Sequence, residues 1–390
     1  MNHRPSSEKT KLGFFLGKKQ IKAFVLLIVT IVCLYLAANY TPPGRTLISL
    51  VYFFKTALAS EKSFSISTYK QPQFLNITYD DGNTKTEAWL FKPNQSQSHS
   101  AIIISPGVGI RQDNKILIMK MADNLRKSGI TVLVPFPQDL KNDLITADSV
   151  ESYKNAFLYI KSLQGINTNK IGFFGFCVGS DIALLASAKP QISDQVSFVL
   201  AFASYANLAD YYSEALSKKS IGKIERGWTA NPLTYQILLK NLFVRLDNAN
   251  DTKILSDYFI NNENNSGQLN NLTKEGKQIL GYIASNDPVY IRTNFPDTSP
   301  LIKKSLDEFS PVNYANQIKA PVYIIHDRND NFEPIEESER LKSAFADRAI
   351  FLETTILDHT VLRDNLPMSI WLGQGAQLIN FFYQVFQKTS

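Results

Sequence analysis

One pentapeptide constrains this chain most. Gly175-Phe176-Cys177-Val178-Gly179 stands between the apolar run 171–174 and the helix-like stretch 181–188. Strand, Gly-x-nucleophile-x-Gly, helix is the pattern of a nucleophile elbow, here with cysteine in the place of serine. The turn is sharp, and side chains beside the nucleophile would strike the neighbouring strand and helix; glycine on both sides removes that clash. The chain has two cysteines, and Cys33 lies in an apolar N-terminal run. No structural disulfide is therefore expected, and Cys177 is a free thiol. The competing reading is a small buried hydrophobe, which most free cysteines are.

The surrounding pattern alternates strands with helices. A hairpin is expected from 74–79 and 87–91 around Asp81-Gly82. Strand 101–104, helix 115–127 and strand 131–135 follow, then helix 150–163, strand 170–174, helix 181–188 and strand 196–201. After an interruption come strand 321–326, helix 335–345, strand 350–357 and helix 370–386. Such alternation predicts an α/β fold, a mostly parallel sheet with helices on both faces. The Cys177 turn then opens at the carboxyl ends of the strands, where ligands bind such sheets. From Ser204 to about Phe309 the alternation stops, and helices such as 233–246 and 274–284 surround an Asn-rich loop, 261–271. This reads as a helical cap insert. Its aromatics, among them Tyr211, Tyr212, Trp228, Tyr258, Tyr282 and Tyr290, are for the most part its own core.

A cysteine nucleophile needs a base, and the base needs an orienting acid. The four histidines are His3, His99, His326 and His359. His359 follows the last predicted strand and precedes the final helix, the place expected when nucleophile, acid and histidine follow one another along the chain. An oxyanion hole is built from backbone N–H groups. One donor is expected from Val178, the residue after the nucleophile, and the second from Val108 in Ser105-Pro106-Gly107-Val108-Gly109. A dinucleotide fingerprint at that loop fails, because Gln112 holds the third glycine position. Scattered histidines and one domain cysteine show no ligand spacing, so neither a metal nor another cofactor is expected.

These residues resemble the α/β-hydrolase superfamily over about 71–386, and Gly-Phe-Cys-Val-Gly looks most like its dienelactone hydrolase branch. Polyhydroxyalkanoate synthases carry a similar box. In hydrolases of this fold the loop after the penultimate strand often reads H-G-x-x-D-x-x-V-P. Laid on His326 to Pro334, that pattern places the acid on Asp330, with Asp327 and Asp358 as competitors. The resemblance thus implies a triad of Cys177, Asp330 and His359. It also implies differences. Ser180 replaces a usual glycine, and Pro106 stands roughly where dienelactone hydrolases keep a glutamate beside the thiol.

Apolar residues make up 44% of the chain and charged ones 19%, as in globular proteins. The net charge of +6 lies mostly in residues 1–22, with six basic side chains against Glu8, so no nucleic-acid partner is expected. The uncharged run 23–38, extended by Asn39 and Tyr40, is just below the usual ~17–25 residues of a spanning helix, with Lys22 able to snorkel, and 23–40 is read as a span with a cleaved signal peptide as the alternative. The basic flank puts the N-terminus in the cytoplasm. The expected organisation is a basic tail (1–22), a transmembrane signal anchor (23–40), a connector (41–70) and an extracytoplasmic hydrolase domain (71–390). The apolar stretch 47–59 is too short to span, and is either an amphipathic helix on the membrane or a connector packed on the domain. The expected activity is cleavage of an ester, thioester or lactone through a thioester acyl-enzyme. The alternatives are acyl transfer by the same machinery and a non-catalytic, membrane-tethered binding module. The partners expected are a small acyl substrate and the membrane.

Overall fold

The structure, a computed structural model, describes residues 40–57 and 73–390, with Thr30, Leu34 and Ala37, apart from the short stretches 81–84, 95–97, 111, 223–225, 264–265 and 364–365. The predicted span 23–40 and the Asp81-Gly82 turn lie outside the described residues, isolated positions excepted. Among the described residues no helix is long and apolar enough to cross a membrane.

Eight strands form one sheet: β1 (Leu75–Asp80), β2 (Lys85–Phe91), β3 (His99–Ser105), β4 (Thr131–Phe136), β5 (Ile166–Phe176), β6 (Val199–Phe202), β7 (Val322–Asp327) and β8 (Ala349–Thr354). Their order across the sheet is β1-β2-β4-β3-β5-β6-β7-β8. The β1–β2 and β2–β4 pairs are antiparallel, and every pair from β4 to β8 is parallel. The parallel strands are buried on both faces, which is why their sequences read as unbroken apolar runs such as Ile102-Ile103-Ile104 rather than as alternation.

Helices cover both faces. One side carries α3 (Ala147–Ser162), α4 (Val178–Ser187) and α11 (Ile335–Phe345). The other carries α1 (Pro42–Ala57), α2 (Gln112–Lys127) and α12 (Met368–Phe386). Of the two readings of the stretch after residue 46, the structure shows a helix packed on the domain. The Phe53 ring lies 4.4 Å from Phe382 and 5.6 Å from Phe386, and Asn124 Nδ2 donates to Thr56 Oγ1 at 2.6 Å. This helix is part of the core, because removing it strips the cover from Phe174, Phe382 and Phe386. Phe53→Ala should cost about 3–5 kcal/mol, the usual penalty for deleting a buried ring. Denaturant unfolding checks this, and a chain starting at Thr41 should be measurably more stable than one starting at Ser60.

Between β6 and β7 lie α5 (Leu208–Ser217), α6 (Pro232–Phe243), α7 (Ala249–Phe259), α8 (Lys274–Ala284), α9 (Pro288–Asn294) and α10 (Pro300–Glu308). Sequence fixes several starts: the side chains of Asn207, Asn231, Asn248, Thr273 and Asp287 accept from first-turn amides. The expected Asn-rich loop includes a 3-10 turn, Ser266–Asn271. Tyr212, Tyr282 and Phe295 pack on one another, so they serve the insert's own core. Tyr211 and Trp228 serve the site instead, as shown below.

Candidate active site

Cys177 ends β5 and caps α4, with φ 53° and ψ −140°. A non-glycine residue at positive φ costs about 1–3 kcal/mol and persists only where its surroundings over-determine it. They do so here. The Cys177 N–H donates to the Phe202 carbonyl at 2.8 Å, and the Cys177 carbonyl accepts from Ser180 N–H at 2.7 Å. A methyl group on Gly175 would meet Ser180 Cα at 2.3 Å, and one on Gly179 would meet the Ser105 carbonyl at 2.0 Å. Both glycines are therefore demanded by backbone packing against the turn. Ser180, which replaces the usual glycine, is accommodated by bonding the strand: its hydroxyl donates to the Phe202 carbonyl and accepts from the Phe202 N–H.

His359 also has positive φ, 54°. The expected strand 350–357 is in fact broken. Parallel pairing ends at Thr354 opposite Asp327, and a separate small hairpin pairs Leu357-Asp358 with Val361-Leu362. His359 and Thr360 form its two-residue tip, a position that favours φ > 0. The tip aims the imidazole at the loop after β7. His359 Nδ1–H donates to Asp330 Oδ2 at 2.8 Å, and the Phe332 ring stacks on the imidazole with centroids 4.2 Å apart.

Of the three candidate acids, Asp330 alone bonds His359. Asp327 is committed elsewhere: it accepts from Asn329 N–H (2.7 Å), Leu357 N–H (3.0 Å) and Arg363 Nη2 (3.2 Å), tying the β7 loop to the hairpin. Asp358 is exposed. Burial pushes the Asp330 carboxyl up. The His359 and His326 interactions and the Phe332 N–H outweigh burial and hold it below the usual carboxylate range. It is therefore an anion at neutral pH. The cap insert braces this loop, with Trp228 Nε1 donating to the Asp330 carbonyl (2.8 Å) and Tyr211 OH to the Phe332 carbonyl (2.6 Å).

Two residues of the site have no role assigned by the sequence pattern. The first is Glu333. The Cys177 thiol donates to Glu333 Oε1 at 3.1 Å, not to His359. The fold thus places a glutamate at the thiol from the β7 loop, while Pro106 stands roughly where the resemblance puts one. Burial, then the charges of Asp330 and Asp181, push the Glu333 carboxyl well up. Burial, then Glu333, push the Cys177 thiol up, while the Val178 N–H works in the opposite direction. The resting site therefore holds a protonated thiol. The second is His326, fully buried, with Nε2–H donating to the Glu333 carbonyl (3.0 Å) and Nδ1 lying 2.7 Å from Ser338 Oγ. Burial lowers its pKa, so it is neutral. It holds the Glu333 carbonyl beside Asp330, and in the sequence it fills the histidine of the H-G-x-x-D-x-x-V-P pattern at the end of β7.

Of the two expected oxyanion donors, the structure places one beside the thiol. Val178 N–H opens α4 beside the sulfur. Gly107, at φ +87°, brings the β3 loop so close that a methyl group there would lie 2.9 Å from the Phe176 carbonyl. Gly109 N–H is bound to Asp143 Oδ1 at 2.7 Å. Val108 N–H has no partner among the described residues. A cavity of about 480 Å³ lined by Asp210, Arg292, Glu336 and Arg340 lies elsewhere and contains neither Cys177 nor His359.

The sheet order, two antiparallel pairs followed by a parallel run, together with the strained turn at Cys177 after β5, decides the architecture. The chain has an α/β-hydrolase fold. No family model matches it. A thiohydrolase of Eupenicillium brefeldianum is 30% identical over 115 residues, which are 28% of this chain and 36% of that protein. The polyketide transferase GrgF of a Penicillium species is 29% identical over 121 residues, 29% of this chain and 40% of that protein. Both alignments span well under half of the relatives' length. Among solved structures, the α/β hydrolase GrgF from Penicillium sp. sh18 superposes with a TM-score of 0.46 at 17% identity, covering 81% of this chain and 98% of that one. DcsB in complex with its substrate analogue gives 0.47 at 14%, covering 82% and 100%.

Proposed function

We propose that this α/β-hydrolase-fold protein is a hydrolase of acyl esters or thioesters, with Cys177 as nucleophile, His359 as base and Asp330 as the acid that orients it. One observation carries the reading: a strained cysteine on the elbow turn, with a His359–Asp330 pair at 2.8 Å held beside it. Asp330 fixes the proton on Nδ1 of His359 and leaves Nε2 free to accept one. When a substrate enters, the thiol turns from Glu333 to His359 and gives its proton to Nε2. The thiolate attacks the acyl carbon. The tetrahedral oxyanion is held by the Val178 and Val108 N–H groups, and His359 returns the proton to the leaving group. Water, deprotonated by His359, then cleaves the thioester acyl-enzyme. Apo sites are often looser than this sequence of bonds demands and tighten in the complex. The two partial relatives are named for hydrolysis and for transfer. On this reading those reactions differ only in the acceptor that resolves the acyl-enzyme. A screen of acyl esters and thioesters of graded length, with and without prior alkylation of Cys177, tests the proposal. Turnover that survives complete alkylation would reject it, and would favour a fold in which Cys177 is a filled core position.

Glu333 has a measurable effect on the thiol. Glu333 accepts the hydrogen bond of the protonated thiol and so favours thiol over thiolate; Glu333→Gln weakens that preference, removes any carboxylate charge and lowers the thiol pKa. The pH profile of Cys177 alkylation by iodoacetamide should therefore move to lower pH. An upward shift would mean that Glu333 stabilises the thiolate instead.

We propose further that the uncharged span 23–40 anchors the protein with the domain on the extracytoplasmic side, on the strength of the basic residues before it. A reporter fused after Ser390 should read extracytoplasmic, and the protein should stay in the membrane through carbonate washing. A cytoplasmic reporter rejects the orientation. A soluble mature form beginning near Asn39 rejects the anchor.

A further inference from the structure

The fold assembles a ligand set that no spacing in the sequence displays. One potential ligand atom from each of Cys177, Glu333 and His359 lies within 4.8 Å of the other two. The residues come from three separate places: the β5 turn, the β7 loop and the hairpin tip. We propose that they form a binding site for a zinc ion, and that zinc binding there holds the enzyme inactive by capturing the nucleophile. The inactivation rests on the reading of Cys177 as nucleophile; the binding does not.

Four observations support it. The first is chemical. Thiolate, imidazole and carboxylate are the three side chains zinc uses, and a trio of protein ligands leaves one position for water. A thiolate and an imidazole select against magnesium and calcium, which take oxygen ligands. The second is geometric. Zinc–ligand bonds of ~2.0–2.3 Å place the ligand atoms of a tetrahedral site about 3.3–3.8 Å apart. The thiol and Glu333 Oε1 are already 3.1 Å apart and the three ligand atoms all lie within 4.8 Å of one another, so the shift needed to reach a tetrahedral site is on the order of 1 Å. The third is an unfilled valence. Glu333 is fully buried, and its Oε2 has no hydrogen-bond partner although it lies 3.9 Å from His359 Nδ1. An orphaned carboxylate oxygen aimed into a cluster of donors is costly, and a cation there would satisfy it. The fourth lies behind the site. Zinc-binding histidines almost always donate their other ring N–H to a carboxylate or carbonyl, which fixes the tautomer. His359 does so, with Nδ1–H on Asp330, and this leaves Nε2 as the ligand atom.

The step balances without a co-reactant. Zinc replaces the proton on the Cys177 sulfur and any proton on the Glu333 carboxyl, and both protons pass to solvent. No carbon bond is made or broken and no electron moves. The thiolate and the carboxylate supply two negative charges, matching the dication, so the loaded site is neutral within an enclosed setting. A cysteine bound in this way cannot attack a carbonyl, and His359 has no lone pair left to act as base.

The test uses the full-length protein, reduced and then freed of thiols, with cobalt(II) as a spectroscopic stand-in for zinc. Titration should produce a sulfur-to-cobalt charge-transfer band at one equivalent, bleached when zinc is added. The band should disappear in Cys177→Ser and persist in Cys33→Ser. Loss of a supporting carboxylate typically weakens metal affinity by ~10–100-fold, so Asp330→Asn should lose that much and the ligand variants Glu333→Gln and His359→Ala at least as much. Glu333→Gln is nearly isosteric, and circular dichroism and thermal unfolding of each variant separate lost folding from lost ligation. Zinc should also protect Cys177 from iodoacetamide, with reactivity restored by a chelator. Absence of the band, or a band of unchanged affinity in Cys177→Ser or in well-folded Glu333→Gln, overturns the site. Zinc that raises turnover instead of lowering it overturns the inactivation. None of the spectroscopic readings uses a substrate, so they stand or fall separately from the proposed reaction.

Discussion

Cys177→Ala should abolish turnover, with a loss on the order of 10⁶-fold in kcat, as for removal of other triad nucleophiles. The size of the effect follows from covalent catalysis. Without the sulfur there is no acyl-enzyme, and only binding and the oxyanion donors remain to favour attack by water. The fold should survive. The substitution keeps Cβ at the strained turn, and the backbone bonds from Cys177 to Phe202 and Ser180 do not involve the thiol. It removes one hydrogen bond, to Glu333. Thermal unfolding should therefore stay close to that of the parent protein while hydrolysis vanishes. Cys177→Ser should recover little, because a hydroxyl needs stronger base assistance than a thiol. Substantial activity in the alanine variant would sink the proposed mechanism and return Cys177 to a packing role.

On the proposed mechanism His359→Ala should cost ~10³-fold or more in kcat, because there the same imidazole takes the thiol proton, returns it to the leaving group and activates water. Asp330→Asn should cost somewhat less, since it removes the charge and the tautomer control but keeps a hydrogen-bonding group at Nδ1. Asp327→Asn is the informative control. Asp327 bonds Leu357 N–H, Asn329 N–H and Arg363, and none of its bonds reaches His359. Its loss should lower stability through the hairpin and leave kcat nearly intact. A larger kinetic defect in Asp327→Asn than in Asp330→Asn would mean that the acid has been assigned to the wrong residue.

The elements that the sequence makes legible are those set by local physics. Glycine on both sides of Cys177 is readable because backbone approach at a tight turn leaves no room for Cβ, whatever the rest of the chain does. The parallel strands are readable because burial on both faces writes a continuous apolar run. Chain order puts His359 after the last strand but does not show the hairpin tip it stands on, where Asp327 of the neighbouring strand accepts the Leu357 N–H.

Tertiary structure decided the rest. Between Asp327 and Asp330 the sequence offers two similar carboxylates three residues apart, and only the direction of each side chain separates an acid that meets His359 from one that ties a loop. Glu333 gave no signal, because its partner Cys177 is 156 residues away and the bond exists only once β5 and β7 are brought to the same end of the sheet. The same holds for the Cys177, Glu333 and His359 cluster, which no ligand spacing announces. The helix Pro42–Ala57 belongs to this group as well. Its composition fits a membrane surface or a protein core equally, and the aromatic rings of Phe174, Phe382 and Phe386, which come together only in the folded sheet, settle it as core. Hydrophobic pattern and turn sterics act over a few residues and can be read along the chain. Proton relays and ligand sets act between side chains that meet only after the chain has closed on itself.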